Sequence, residues 1–106
     1  MKKITQKEKT RLLAFAKDIC NRPSMFTGGP PSFQNLTYFF DGYLFATEER
    51  LKIEVVVPFS SWLADKFKAK FHNYPYSTYI MEQYKTEEMQ FTKLYELFEE
   101  FLSSNL

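Results

Sequence analysis

The sequence predicts a mainly α-helical fold, a single small bundle of four to five helices over residues 1–106. Apolar residues recur at helical spacing in most segments, with capping residues placed before them. A length of 106 residues is one ordinary domain. The 12 Phe, 7 Tyr and 1 Trp supply large rings, which let a short chain bury a real core.

Thr5-Gln6-Lys7-Glu8 is a capping-box pattern, in which the threonine hydroxyl and the glutamate carboxylate each take one free amide. Leu12, Phe15, Ala16, Ile19 and Cys20 follow on one face. This predicts a helix over 5–21, stopped because Pro23 disfavours helical geometry at Arg22. Residues 23–31 hold two Gly and three Pro and are expected to be an irregular loop.

Ser32 then reads as an N-cap, with Phe33, Leu36, Phe40, Tyr43 and Leu44 carrying a second helix to about Thr47. Gly42 lies inside it, which suggests a close approach of another helix. For the β-branched segment 51–57, a short strand, an extended connector and a continuation of helix all fit. Pro58 suits the first turn of a third helix that presents Phe59, Trp62, Leu63, Phe67 and Phe71. Asn73-Tyr74-Pro75-Tyr76 reads as a turn, and Ser77 as the cap of a short helix bearing Tyr79, Ile80 and Tyr84. Thr86 caps the last helix, with Glu87 and Glu88 in its first turn. Phe91, Leu94, Tyr95, Phe98, Phe101 and Leu102 form its apolar stripe.

Charge is unevenly spread although the net value is only +1. Residues 1–22 carry seven Lys/Arg against two acids, and residues 86–106 carry five Glu against one Lys. Two terminal helices lying side by side would pair these charges. Lys3, Lys7 and Arg11 share a helix face, available to an acidic surface, to RNA or to the acidic last helix. The near-neutral balance argues against a general nucleic-acid binder. No apolar run reaches the length of a membrane span, and no apolar stretch follows the basic start to make a secretory leader. One cysteine excludes an internal disulfide and suits the cytoplasm.

Catalytic and metal chemistry are not legible. His72 is the single histidine and Cys20 the single cysteine, too few for a zinc site at ligand spacing. Cys20 falls on the apolar stripe of the first helix and reads as core, and His72 as surface. Glu48-Glu49 and Glu99-Glu100 are adjacent on helices and point apart, so neither pair makes an acid–base couple. Gly28-Gly29 lacks the pattern of a phosphate loop. Asp41, among Phe39, Phe40 and Tyr43, reads as a structural carboxylate. No cofactor is expected, no metal site, and no enzyme activity.

Arg22-Pro23-Ser24-Met25-Phe26, Gly28, Ser32-Phe33, Phe39-Phe40-Asp41-Gly42-Tyr43 and Pro58-Phe59-Ser60-Ser61-Trp62-Leu63 form a pattern with the Phe/Leu-rich terminal helix. Over about residues 20–102 it resembles a family of small bacterial cytosolic proteins reading R-P-x-M-[YF], glycine, L-D-G-Y, then F-x-x-W. Phe40 stands in place of the leucine, and Ser24 in place of the usual glycine. The resemblance implies a small partner-binding protein, in the style of the immunity proteins of bacterial toxin systems. It carries no catalytic residue. Arg22, Asp41, Tyr43 and Trp62 are then structural, with Arg22 expected to pair with Asp41.

The expected function is therefore a non-catalytic inhibitor that neutralises a toxin domain by binding it. Glu48, Glu49, Tyr74, Tyr76, Glu88, Glu96 and Glu99 are the candidate contacts, with Tyr79 beside the tyrosine-rich turn. Alternatives are a phage or mobile-element inhibitor of a host defence complex, and a small ligand-binding domain using the 22–32 loop. Association with a second copy would also cover surplus aromatics.

Overall fold

The computed structural model describes residues 3–29 and 32–104. Among them the secondary structure is entirely helical: α1 (Gln6–Asn21), α2 (Pro23–Thr27), α3 (Phe33–Leu51), α4 (Val56–Lys66), α5 (Tyr76–Gln83) and α6 (Glu87–Ser104). The mainly helical bundle stands, with six helices among the described residues where the sequence predicts four to five. No described helix is long and apolar enough to cross a membrane.

Both halves of the α1 capping box form: the Glu8 amide donates to Thr5 Oγ1 at 3.1 Å, and the Thr5 amide donates to Glu8 Oε1 at 2.9 Å. The helix stops at Asn21, as Pro23 requires. The segment after it departs from expectation, because Pro23 opens the five-residue helix α2. A proline bars the helix interior but not the first turn, where its missing amide has no partner to lose. Gly28 ends α2 with φ of 76°, a left-handed cap that glycine adopts without strain. Pro30 and Pro31 lie outside the described residues.

Ser32 caps α3 by accepting the Asn35 amide at 3.1 Å. α3 runs to Leu51 rather than to Thr47. The Thr47 hydroxyl donates back to the Tyr43 carbonyl at 2.8 Å and leaves the helix intact. The turn 48–51 continues until Lys52 adopts φ of 59°. Residues 53–55 form no strand. Ile53 and Val55 are buried and Glu54 is exposed, so the alternation belongs to a short linker pressed on the core. α4 begins at Val56, before Pro58, and ends at Lys66, which leaves Phe71 in the following loop and exposed. α5 starts at Tyr76 with Pro75 at its N-cap and no side-chain cap, so Ser77 does not serve as one. Thr86 caps α6, its hydroxyl accepting the Met89 amide at 3.2 Å.

Phe59 sits at the centre of the core. Its ring lies 5.2 Å from Phe98, 5.2 Å from Phe101 and 5.3 Å from Tyr76, joining α4, α5 and α6. Phe40 brings α3 in, 5.4 Å from Phe98. Trp62, half-buried, packs on Phe101 at 5.9 Å under Lys66 Nζ. A satellite cluster joins α1, α2 and α3: Tyr43 stacks on Phe15 at 3.7 Å, and Phe26 meets Phe39 at 5.5 Å.

α1 lies along α6, as the opposed charges suggested. The contact is apolar, however. Among the described residues no ion pair links the basic α1 stripe to the α6 glutamates, which pair instead as Lys66–Glu100 and Lys93–Glu96.

Lys9 is the exception on that seam. It is 3% exposed, and its ammonium has no hydrogen-bond partner among the described residues. It borders a small cleft with Leu102 and Ser103 in the last turn of α6, whose negative dipole end favours a cation. That attraction offsets only part of the desolvation cost. Lys9→Met keeps the stem and removes the charge, and should stabilise the fold by about 1–3 kcal/mol in urea or guanidinium unfolding. A loss of stability would show that the ammonium is fully compensated where it lies.

Candidate functional site

α3 and α5 border an open groove of about 530 Å³ that carries a perturbed carboxylate. Tyr38 and Asp41 line it from α3, and Thr78, Met81 and Glu82 from α5, with Lys85 at its end.

Asp41 is the chemical centre of the groove. Tyr76, 1% exposed, reaches from α5 and donates its hydroxyl to Asp41 Oδ1 at 2.6 Å. Burial pushes the Asp41 carboxyl above its ordinary value of 3.8, and the Tyr76 hydrogen bond only partly opposes this. Burial, and then the Asp41 charge, push the Tyr76 hydroxyl up in turn. Asp41 has no cationic partner among the described residues, so a donor or cation arriving from outside would relieve its desolvation.

The expected Arg22–Asp41 pair does not form. Arg22 ends α1 and pairs with Asp18, one turn back, at 3.2 Å. Tyr76 therefore holds the place assigned to the arginine. It is also not the exposed contact residue expected of a turn. Tyr76, Tyr79 and Ile80 share the buried face of α5, and only Tyr74 of the tyrosine trio is exposed. The Tyr79 hydroxyl donates to the Phe71 carbonyl at 2.7 Å and accepts the Tyr74 amide at 3.3 Å, which fixes the turn leading into α5.

Glu48 is not a solvated contact either. Its Oε2 accepts the Val55 amide at 2.6 Å and the Val56 amide at 2.8 Å. It thus caps α4, which has no side-chain cap from its own N-cap residue. Glu49 is exposed. On α6, Glu88 and Glu99 are exposed, while Glu96 pairs with Lys93 at 3.1 Å. Burial and then the Glu99 carboxylate raise the Tyr95 hydroxyl.

Cys20 is buried, and burial pushes its thiol up to about 12, far from the thiolate a nucleophile needs. His72 is exposed beside Asp65, its Nδ1 3.5 Å from the carboxylate.

A stripe that meets the groove only at Tyr38 does not stand out in the sequence. Tyr38, Gly42, Phe45 and Glu49 follow at i, i+4, i+7 and i+11, a single exposed stripe along α3. Tyr38 is 63% and Phe45 53% exposed. The stripe was legible as spacing, but the deeper apolar stripe of Phe33, Leu36, Phe40 and Leu44 masks it. Gly42 makes no close approach: a Cβ built there meets nothing within 4 Å.

No protein family, no curated protein and no solved structure matches the chain.

The Tyr76–Asp41 bond generates a pH prediction. A carboxyl raised on folding contributes stability below its unfolded value, and that contribution is lost as pH rises through the folded value. Asp41→Asn should therefore gain on the parent from about pH 3.8 upward, then hold a constant advantage towards neutrality. In Tyr76→Phe the Asp41 carboxyl should titrate higher still, read by carboxyl-detected NMR. An unchanged Asp41 titration would mean that the hydroxyl does not hold the charge.

Proposed function

We propose that the chain is a non-catalytic protein-binding inhibitor of the immunity type, which engages a toxin domain through the α3 stripe and the α3–α5 groove. The observation that supports this reading is Gly42. A glycine in an exposed helix interior costs about 1 kcal/mol relative to alanine. Nothing in the fold repays that cost, because the space over Gly42 is open. A flat spot between Tyr38 and Phe45 suits a partner backbone laid across the helix.

The flanking chemistry fits such a surface. Tyrosine and phenylalanine give large contact areas at small entropic cost, and a central aromatic cluster with a polar rim is the usual anatomy of a contact patch. Met81 adds an adaptable apolar wall on the α5 side. Asp41 and Glu49 favour a partner that presents lysine or arginine, the charge expected around the active site of an enzyme that attacks nucleic acid. A free, buried Cys20 suits action in a reducing compartment such as the cytoplasm.

The test is affinity capture from the native cell with the parent, Tyr38→Ala/Phe45→Ala, and Glu88→Gln/Glu99→Gln on α6. A stoichiometric partner should accompany the parent and the α6 variant and be lost from the stripe variant. Loss from the α6 variant alone would move the contact to the acidic face, and a second copy as the only companion would make the stripe a self-interface. Gly42→Ala separates function from folding: it should raise stability by about 0.5–1 kcal/mol in denaturant while weakening capture.

A further inference from the structure

The opposite flank of α3 faces α1 across a second cleft, of about 230 Å³. Lys7 and Arg11 reach it from α1, one turn apart, and Arg50 from the last turn of α3. Leu12, Leu51 and Tyr43 give it apolar walls. Glu8 is the one carboxylate lining it, and its Oε1 already accepts the Thr5 amide of the capping box at 2.9 Å. Three cations against one carboxylate leave two positive charges in the cleft.

The described residues do not neutralise them. Among the described residues the ion pairs are made by Arg22, Lys66, His72 and Lys93, and none by Lys7, Arg11 or Arg50. Lys7 and Arg11, four residues apart on α1, set like charges along one helix face, an arrangement that opposes the helix carrying it. Arg50 arrives from another helix to add to that charge. The positive end of the α1 dipole lies at Thr5, on the rim of the same cleft.

We propose that this cleft binds a phosphomonoester dianion carried on a small apolar body. The charge left in the cleft matches a dianion. Two guanidinium forks and an ammonium suit three terminal phosphate oxygens, with the arginines donating in pairs and the lysine acting as a point charge. Leucine and tyrosine walls then cover a body of about one ring, for which the volume suffices. The site is independent of the Asp41 groove and of the partner proposed for it.

The test uses phenyl phosphate, inorganic phosphate and benzoate, followed by amide-shift NMR and calorimetry on the whole chain at low salt. Phenyl phosphate should bind saturably at one site, tighter than inorganic phosphate, with shifts centred on residues 7–12 and 47–51. Benzoate should bind at least about tenfold more weakly, as a monoanion with one fewer oxygen to hold. Arg11→Gln/Arg50→Gln should lose at least about tenfold in affinity with unchanged circular dichroism. Arg50→Lys, which keeps the charge and loses the fork, should fall between and serves should the double variant misfold. The proposal is overturned by the absence of saturation, by benzoate matching phenyl phosphate, or by unchanged affinity in both arginine variants.

Discussion

The placement of Phe59 is the constraint on which the rest of the structure depends. Its ring touches Phe98 and Phe101 of α6 and Tyr76 of α5, so one side chain of α4 sets the spacing of three helices. Offset and edge-on ring pairs are directional as well as apolar, so the cluster fixes angles and not only contact. It also fixes Tyr76, which must turn its hydroxyl out of the ring cluster. Out of that cluster the hydroxyl reaches Asp41 on α3. The groove between α3 and α5 is in this sense a consequence of core packing. A carboxylate is held half-buried because the ring beneath it belongs to the core.

Glu48 performs the matching task at the α3–α4 corner. α4 opens on Val55 and Val56, apolar residues with no oxygen to offer their own amides. The carboxylate eight residues back supplies it, and the negative charge lies at the positive end of the α4 dipole. The linker of Ile53, Glu54 and Val55 can then be short and buried on both of its valine and isoleucine sides without leaving backbone donors orphaned. The extra turn of α3 is what brings Glu48 into range, so the length of α3 and the start of α4 are one fact.

The helical class, the α1 capping box, the Ser32 and Thr86 caps and the buried faces of α1, α3 and α6 were legible because each rests on residues close in sequence. What was not legible depended on partners distant in sequence. Nothing local says that Tyr76 is buried, since a turn with Pro75 reads as exposed, and its partner stands 35 residues away. Arg22 and Asp41 attract on paper, but Asp18 is one turn from Arg22 and captures it first. The charge asymmetry of the termini correctly suggested that α1 and α6 lie together. It did not give the reason, which is apolar burial on both helices, Leu12, Ala16 and Ile19 on α1 and Leu94, Leu97 and Phe101 on α6, with Lys9 the one charge carried into it. The proline count of residues 23–31 suggests a loop only while position is ignored, and Pro23 stands where a helix accepts one.

α3 explains why one short chain presents two unlike polar sites. Asp41 and Arg50 are nine residues apart, and at about 100° per residue that places them on opposite flanks of the helix. One flank turns towards α5 and carries the exposed aromatics with an under-solvated acid. The other turns towards α1 and carries Arg50, which meets Lys7 and Arg11 of α1 at the second cleft. The buried face of Phe33, Leu36, Phe40 and Leu44 separates them. A helix with its side chains is about 10 Å across, close to the screening length at physiological salt, so neither charge neutralises the other through solvent. Had the acid stood one residue earlier or later it would still lie far from Arg50, but five or six residues later it would stand four or three residues before Arg50 and the two charges would form one ion pair. The register of α3 thus keeps an acid and a cluster of bases both available to partners from outside the chain.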